Sequence, residues 1–351
     1  MKRFLLLHVC GAFFLLPVHS QSQLMNVGLE VCTDFDAWMN NRHPDTRSFR
    51  LNTLQLVFSG ELYPGITYRV QQRLNDTPFR ESDRYMANTL DAFVNFAPRH
   101  WNWDFTIGKQ NLLFGTYETD YDPSDLYLLS LVFDNFLISQ VGVTARRNWK
   151  NGSLAAQVSD VTGDQLVYNE NRSFAYTFNA AGYTPNRKMN ASIAYTLIQA
   201  GNKHFFNWLT LGAQLRHRNY FGELDAYAGR YRENMSLDEE TDNYIVADNL
   251  SVSITSRLRL GKLSPLLKLS FDYQQDAQEK TMSKRRWSGA TGMEYYPLRK
   301  HDLRFHAIYQ FNYVSYGEMW YNNYHHEMTN RVTIGMQWQV SLGDLFETLR
   351  K

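Results

Sequence analysis

Cysteine is nearly absent from this chain, and after the first twenty residues so is any long apolar run. Two cysteines, Cys10 and Cys32, stand in 351 residues, which excludes a scaffold held by several disulfides. No later stretch reaches the roughly 18 consecutive apolar residues of a membrane-crossing helix, so any membrane span is made of strands. An excess of charge of one sign is missing too. The 36 Lys and Arg against 35 Asp and Glu leave +1, which gives no whole-chain case for nucleic acid or an anionic surface as partner.

What is present begins at the amino end. Met1-Lys2-Arg3 precedes the apolar run Phe4 to Leu16, broken by Pro17 and closed by Val18-His19-Ser20, the layout of a secretory signal. Cleavage after Ser20 predicts a signal peptide at 1–20, a barrel at 21–342 and a short periplasmic tail at 343–351. Reading Cys10 as a lipidated cysteine conflicts with the bulky Val9 before it and the apolar run beyond it. Export removes Cys10 and leaves Cys32 without a partner.

From Leu24 to Leu342 apolar and polar residues alternate in runs of about ten, the period of strands with two unlike faces. In Arg331 to Leu342 every second residue is apolar; Leu209, Leu211, Ala213 and Leu215 oppose Thr210, Gly212, Gln214 and Arg216 in the same way. The mean hydropathy of −0.46 fits a barrel that gives its lumen to polar side chains. Aromatic residues make up 15%, and Trp101, Trp103, Trp149, Tyr295, Tyr296, Trp320 and Tyr321 fall near strand ends, where girdles meet lipid headgroups. Stacking on sugars is the alternative use.

Short turns, such as Tyr63-Pro64-Gly65, Pro185-Asn186-Arg187 and Gly261-Lys262, take turns with longer polar stretches, among them residues 76–87, 115–135, 162–172, 231–243 and 317–327. Such alternation distinguishes the two rims of an outer-membrane barrel. The reading is all-β: one transmembrane antiparallel β-barrel of about 16 strands in an up-and-down meander. Tyr220 to Arg230 is the region where the turn is least marked.

Two stretches carry a family resemblance: Glu61-Leu62-Tyr63-Pro64-Gly65-Ile66-Thr67-Tyr68-Arg69-Val70-Gln71, and Thr89 to Val94 leading to Ile107-Gly108-Lys109-Gln110 and Phe114-Gly115-Thr116-Tyr117-Glu118. They resemble the phosphate-selective porins O and P, bacterial outer-membrane channels with many members in Bacteroidetes-type bacteria. The resemblance implies an anion-selective channel, often a homotrimer, whose third extracellular loop folds inward and narrows the pore. Residues 115–135 stand where that loop falls. Family loops carry lysines; this one carries Glu118, Asp120, Asp122, Asp125 and Asp134 and neither lysine nor arginine.

The polar phase predicts a basic wall of Arg69, Arg73, Arg146, Arg216, Arg218, Arg257, Arg259, Lys268, Arg304 and Arg331, opposed by the fewer acids Asp91, Asp272 and Glu294. Rings of basic side chains attract and pass anions; the plainer use of these residues is to solvate the lumen and pair with carboxylates. Asp120, Asp122 and Asp125 lack the glycine and terminal Glu of a calcium loop, and salt bridges to the wall are the preferred use. His325-His326-Glu327 has no third metal ligand in view, and His306 is an isolated inward histidine without a visible nucleophile. The expectation is therefore a non-enzymatic porin without cofactor or metal, seated in outer-membrane lipid and passing small hydrophilic solutes, anions by preference. The contrasting class is a non-conducting barrel acting as a surface-binding protein or barrel hydrolase. Stepwise conductance in a planar bilayer separates the two.

Overall fold

A computed structural model describes residues 25–41, 44–75, 88–121, 125–131, 139–161, 173–201, 204–234, 244–298, 302–317 and 326–341. The expected signal segment and tail lie outside the described residues. Sixteen strands follow in chain order: β1 (Asn26–Asn40), β2 (Thr46–Tyr63), β3 (Ile66–Arg73), β4 (Thr89–Phe96), β5 (Trp103–Asn111), β6 (Ser139–Trp149), β7 (Gly152–Asp160) and β8 (Phe174–Tyr183). The second half comprises β9 (Met189–Gly201), β10 (His204–His217), β11 (Tyr220–Asn234), β12 (Tyr244–Leu258), β13 (Leu263–Asp276), β14 (Met282–Tyr295), β15 (Asp302–Tyr316) and β16 (His326–Ser341). Each pairs antiparallel with the next, and β16 returns to β1, so the sheet is a closed barrel.

Burial is inverted relative to a water-soluble sandwich. In β13, Ser264, Lys268, Ser270, Asp272 and Gln274 are buried while Leu263, Leu267 and Leu269 are exposed. The same split runs through Thr210 against Leu209 and Leu211, and Ser253 against Ile254. A buried polar face opposite an exposed apolar one is stable when the outside is lipid. The strands β12 to β16 run 14 to 16 residues, more than the roughly 9–11 a tilted membrane strand needs, so they project past the apolar band.

Two connections depart from the sequence reading. The turn before β11 is Arg218-Asn219, with Arg218 at φ 50°, a left-handed residue where no glycine advertises a turn. Only residues 202 and 203 separate β9 from β10, at the end where long connections were expected. In β2 a register shift opposite Cys32 and Thr33 makes Asn52 the extra residue. The bulge brings Arg50 opposite Asp34, onto the lumen face.

Candidate functional site

The described residues 112–121 and 125–131 of the connection from β5 to β6 lie inside the barrel against one side of its inner wall. Leu112 and Phe114 pack with Val161, Ala175, Ile198, Trp208, Tyr227 and Tyr231, and farther along Leu128 packs with Leu266, Ala290 and Ile308. These wall residues are apolar members of an otherwise polar phase, and they mark where the loop is seated. Gly115, at φ +75°, supplies the bend, and Gly212 leaves room beneath it: a Cβ there would come within 2.7 Å of the Gly115 carbonyl oxygen.

A loop buried inside a barrel must find partners for its backbone polar groups, and wall carboxylates provide them. The Tyr117 and Glu118 amides donate to Asp225 at 2.7 and 3.2 Å, and the Leu131 amide donates to Asp272 at 3.1 Å. The Leu113 amide donates to the Gln157 side-chain oxygen at 3.0 Å. Tyr121 and Tyr127 hydroxyls donate to Glu223 and Glu294 at 2.8 and 2.9 Å.

Glu118, in the single 3₁₀ turn Glu118–Asp120, is the centre of this attachment. Its carboxylate is fully buried and accepts from Lys268 Nζ at 2.7 Å, the Ser130 amide at 3.0 Å and the Tyr227 hydroxyl at 3.0 Å. Burial alone would raise its pKa, but the Lys268 charge and the hydrogen bonds from Lys268 and Ser130 outweigh it and hold the carboxyl below the ordinary range. Asp125 pairs with Arg304, which also reaches Glu294 at 3.2 Å, and Arg257 donates to the Asp125 carbonyl at 3.1 Å. Asp120 is the exception among the described loop acids. It is solvent-accessible, yet enclosure by the barrel pushes its carboxyl up to about 6 against the pull of Arg146.

The wall away from the loop carries a second set of charges. Asp36 accepts from Arg331 at 2.7 and 2.9 Å and lies 3.7 Å from Arg50. Arg69 pairs with Asp91 at 3.0 Å, and Arg73 donates to the Asn52 carbonyl at 3.0 Å. On the loop side, Arg146 falls in the inward phase of β6 near Asp120, and Arg216 donates to Gln214 at 3.3 Å.

Several expectations change. Arg218, expected on the wall, lies in a turn because β10 ends at His217; Arg259 lies just past the end of β12 and packs 3.8 Å over the ring of Tyr296, whose hydroxyl donates to Glu294. The inward acids are not few: Glu30, Asp34, Asp36, Glu223 and Asp225 join Asp91, Asp272 and Glu294. Asp272 and Glu294 hold the loop rather than facing an open lumen. His306, read as isolated, has Nε2 2.9 Å from Asp34 Oδ1 and its ring against Tyr127. Asp122 and Asp134 lie outside the described residues. Arg50 and Arg286 are inward bases not anticipated; Arg286 binds Asp272 at 2.8 Å and the Leu129 carbonyl at 2.9 Å. Strict alternation finds Arg286 opposite Asp272 and also finds the β1 acids, whereas the bulge at Asn52 hides Arg50. Among the described residues no group of three or more His, Cys, Asp or Glu is placed to hold a metal ion.

The family model of the phosphate-selective porins O and P matches residues 25–233. No curated protein matches the sequence. Solved structures match in fold at low identity. Salmonella typhi OmpF, in complex with daunomycin, is 11% identical with a TM-score of 0.64, covering 92% of this chain and 99% of that one. The outer-membrane channel DcaP of Acinetobacter baumannii is 12% identical with a TM-score of 0.63, covering 90% and 97%. The trimer form of Vibrio cholerae OmpT is 10% identical with a TM-score of 0.61, covering 90% and 100%.

Proposed function

This chain belongs to the phosphate-selective porin O and P family and is a porin of the bacterial outer membrane, and from that premise we propose that its channel prefers small anions. The observation that carries the preference is an asymmetry of exposure within the lumen ion pairs. The basic partner is the more accessible one in Arg50–Asp36 (49% against 0%), Arg69–Asp91 (40% against 15%), Arg331–Asp36 (20% against 0%) and Arg286–Asp272 (12% against 1%). Arg304–Asp125 and the His306–Asp34 contact reverse it among the lumen pairs described. A solute therefore meets guanidinium groups whose counter-charges are recessed behind them, in a confined space that focuses the field.

The inserted loop supports the same reading. Glu118 and Asp125 are paired with Lys268 and Arg304, so two of the loop's carboxylates are directed to its seat, and Asp120 is the exposed one among the described loop acids. Phosphate is one candidate solute through the family's name, and the guanidinium-lined wall suits small oxyanions as a class. The long connections face outward and the short turns face the periplasm, as in barrels of this kind. Family membership and the trimer form of the Vibrio cholerae relative support a homotrimer.

The reversal potential of single channels under a salt gradient tests the proposal. The expected sign is that of an anion-preferring pore, with Arg50→Gln, Arg69→Gln and Arg331→Gln each lowering the anion-to-cation permeability ratio. A cation-preferring wild-type channel overturns the preference. Folded protein without stepwise conductance overturns the open channel itself.

A further inference from the structure

We propose that the outer face of the barrel, at the short-turn end of β8 to β12, holds one anionic phospholipid, its acyl chain in an apolar groove and its phosphate on the adjoining turn cations. The groove has a volume of about 540 Å³. Its floor is low because Gly182, Ala191, Ala213 and Gly222 bring little or no side chain to the lipid-facing surface, and Ile254 and Tyr220 stand beside it. The Tyr220 ring leans across Gly222: a Cβ there would come within 2.8 Å of the phenolic oxygen. A recess of this kind on a surface already facing hydrocarbon takes a hydrocarbon chain.

Charge selects the headgroup. The groove ends at two hairpin turns whose exposed side chains include Arg187, Lys188, His217 and Arg218. Residues 173–222 contain no Asp or Glu, and Glu223, a carboxylate in the groove lining, is buried and accepts from Tyr121 and Gln214. Arg187 stacks 4.9 Å over the Tyr183 ring at the edge of the groove. Backbone conformation adds an independent observation. Arg187 and Arg218 have φ of 52° and 50°, a left-handed geometry that Gly or Asn adopts with less strain. Two tight turns at one end of the groove thus each carry an arginine at their left-handed position. A zwitterionic lipid offers less net attraction than an anionic one, since each Lys or Arg near a membrane interacts with net negative charge.

Which leaflet supplies the lipid rests on the orientation proposed above; binding itself does not, and is measured on the isolated barrel. Purified full-length protein in detergent is mixed with equimolar phosphatidylglycerol and phosphatidylethanolamine, and bound lipid is counted by native mass spectrometry. The wild type is expected to retain phosphatidylglycerol preferentially. The Arg187→Asn/Lys188→Gln/Arg218→Asn variant, in which Asn relaxes both left-handed positions, is expected to bind it about tenfold more weakly or worse. Ala213→Phe fills the groove and is expected to lose the lipid while keeping wild-type conductance and heat-modifiable mobility, which certifies the fold. Equal retention of the two lipids by the wild type, or unchanged retention in either variant, overturns the proposal. A change in subunit number with Ala213→Phe also overturns it, by making the groove an interface between copies of this chain.

Discussion

Replacing Glu118 with Gln isolates the contact on which the inserted loop depends most. Glu118 is fully buried and Lys268 is 8% exposed, with 2.7 Å between Nζ and Oε1. The substitution keeps the shape and an oxygen for the Ser130 amide, turns an NH2 donor toward the Tyr227 hydroxyl, and leaves the Lys268 ammonium without its counter-charge. Breaking one side of a buried pair costs about 3–5 kcal/mol. At 1.4 kcal/mol per tenfold, that is at least about two orders of magnitude in the balance between seated and released loop. Bonds to Asp225, Asp272 and Arg304 remain, so the expected result is a loop that detaches intermittently. In single-channel records it raises open-state current noise, and in lipid vesicles it lowers the urea midpoint. Glu118→Gln combined with Lys268→Met removes both charges and is expected to recover most of the loss, because a buried pair exchanged for neutral groups is often near neutral in stability. Wild-type noise together with a stability change under about 1 kcal/mol in the single variant would refute the reasoning.

Acid acts on the loop in two stages. Asp120 has its carboxyl raised to about 6, so it is ionised and repels anions above that pH and is neutral below it; anion preference rises as pH falls from 7.5 to 5, and Asp120→Asn abolishes the change. Glu118 is held below its ordinary value of 4.5, so its contribution to loop seating is present above that value and is lost only as pH falls through its lower folded value; open-state noise is expected to rise only on acidification below 4.5. Gly212→Val places a Cβ within 2.7 Å of the Gly115 carbonyl oxygen and 3.0 Å of the Tyr117 ring. It is expected to lift the loop at a cost of about 1–3 kcal/mol, visible as altered conductance with the barrel intact by heat-modifiable mobility.

Period-2 alternation made the barrel legible because each strand faces lipid on one side and water or loop on the other. It also identified Arg69, Arg73, Lys268, Arg304 and Arg331 as one phase. Alternation failed where the backbone leaves the ideal pleat. The bulge at Asn52 turned Arg50 inward, and a turn built on a left-handed arginine moved Arg218 off the wall. The seat of the loop left a trace in the sequence: Ile198, Trp208, Leu266 and Ile308 are apolar where the phase calls for polar residues, and Gly212 meets the backbone of Gly115 and Thr116. Which acid pairs with which base was not legible, since Glu118 and Lys268 are 150 positions apart and meet only once the barrel has brought them together.

The seam between β1 and β16 bears on how the barrel comes to be closed. Glu30 accepts from Gln337 and Gln339, and Asp36 accepts from Arg331 and Thr333, across separations of 295 to 309 residues. Contacts this distant in sequence form slowly, and none of them can form before the last strand has left the ribosome and crossed the inner membrane. Until then the first strand is an open edge whose carboxylates have no partners from the other side. Closure therefore belongs to a late step of barrel assembly, one that completes the backbone ladder and the lumen charge pairs of the seam together.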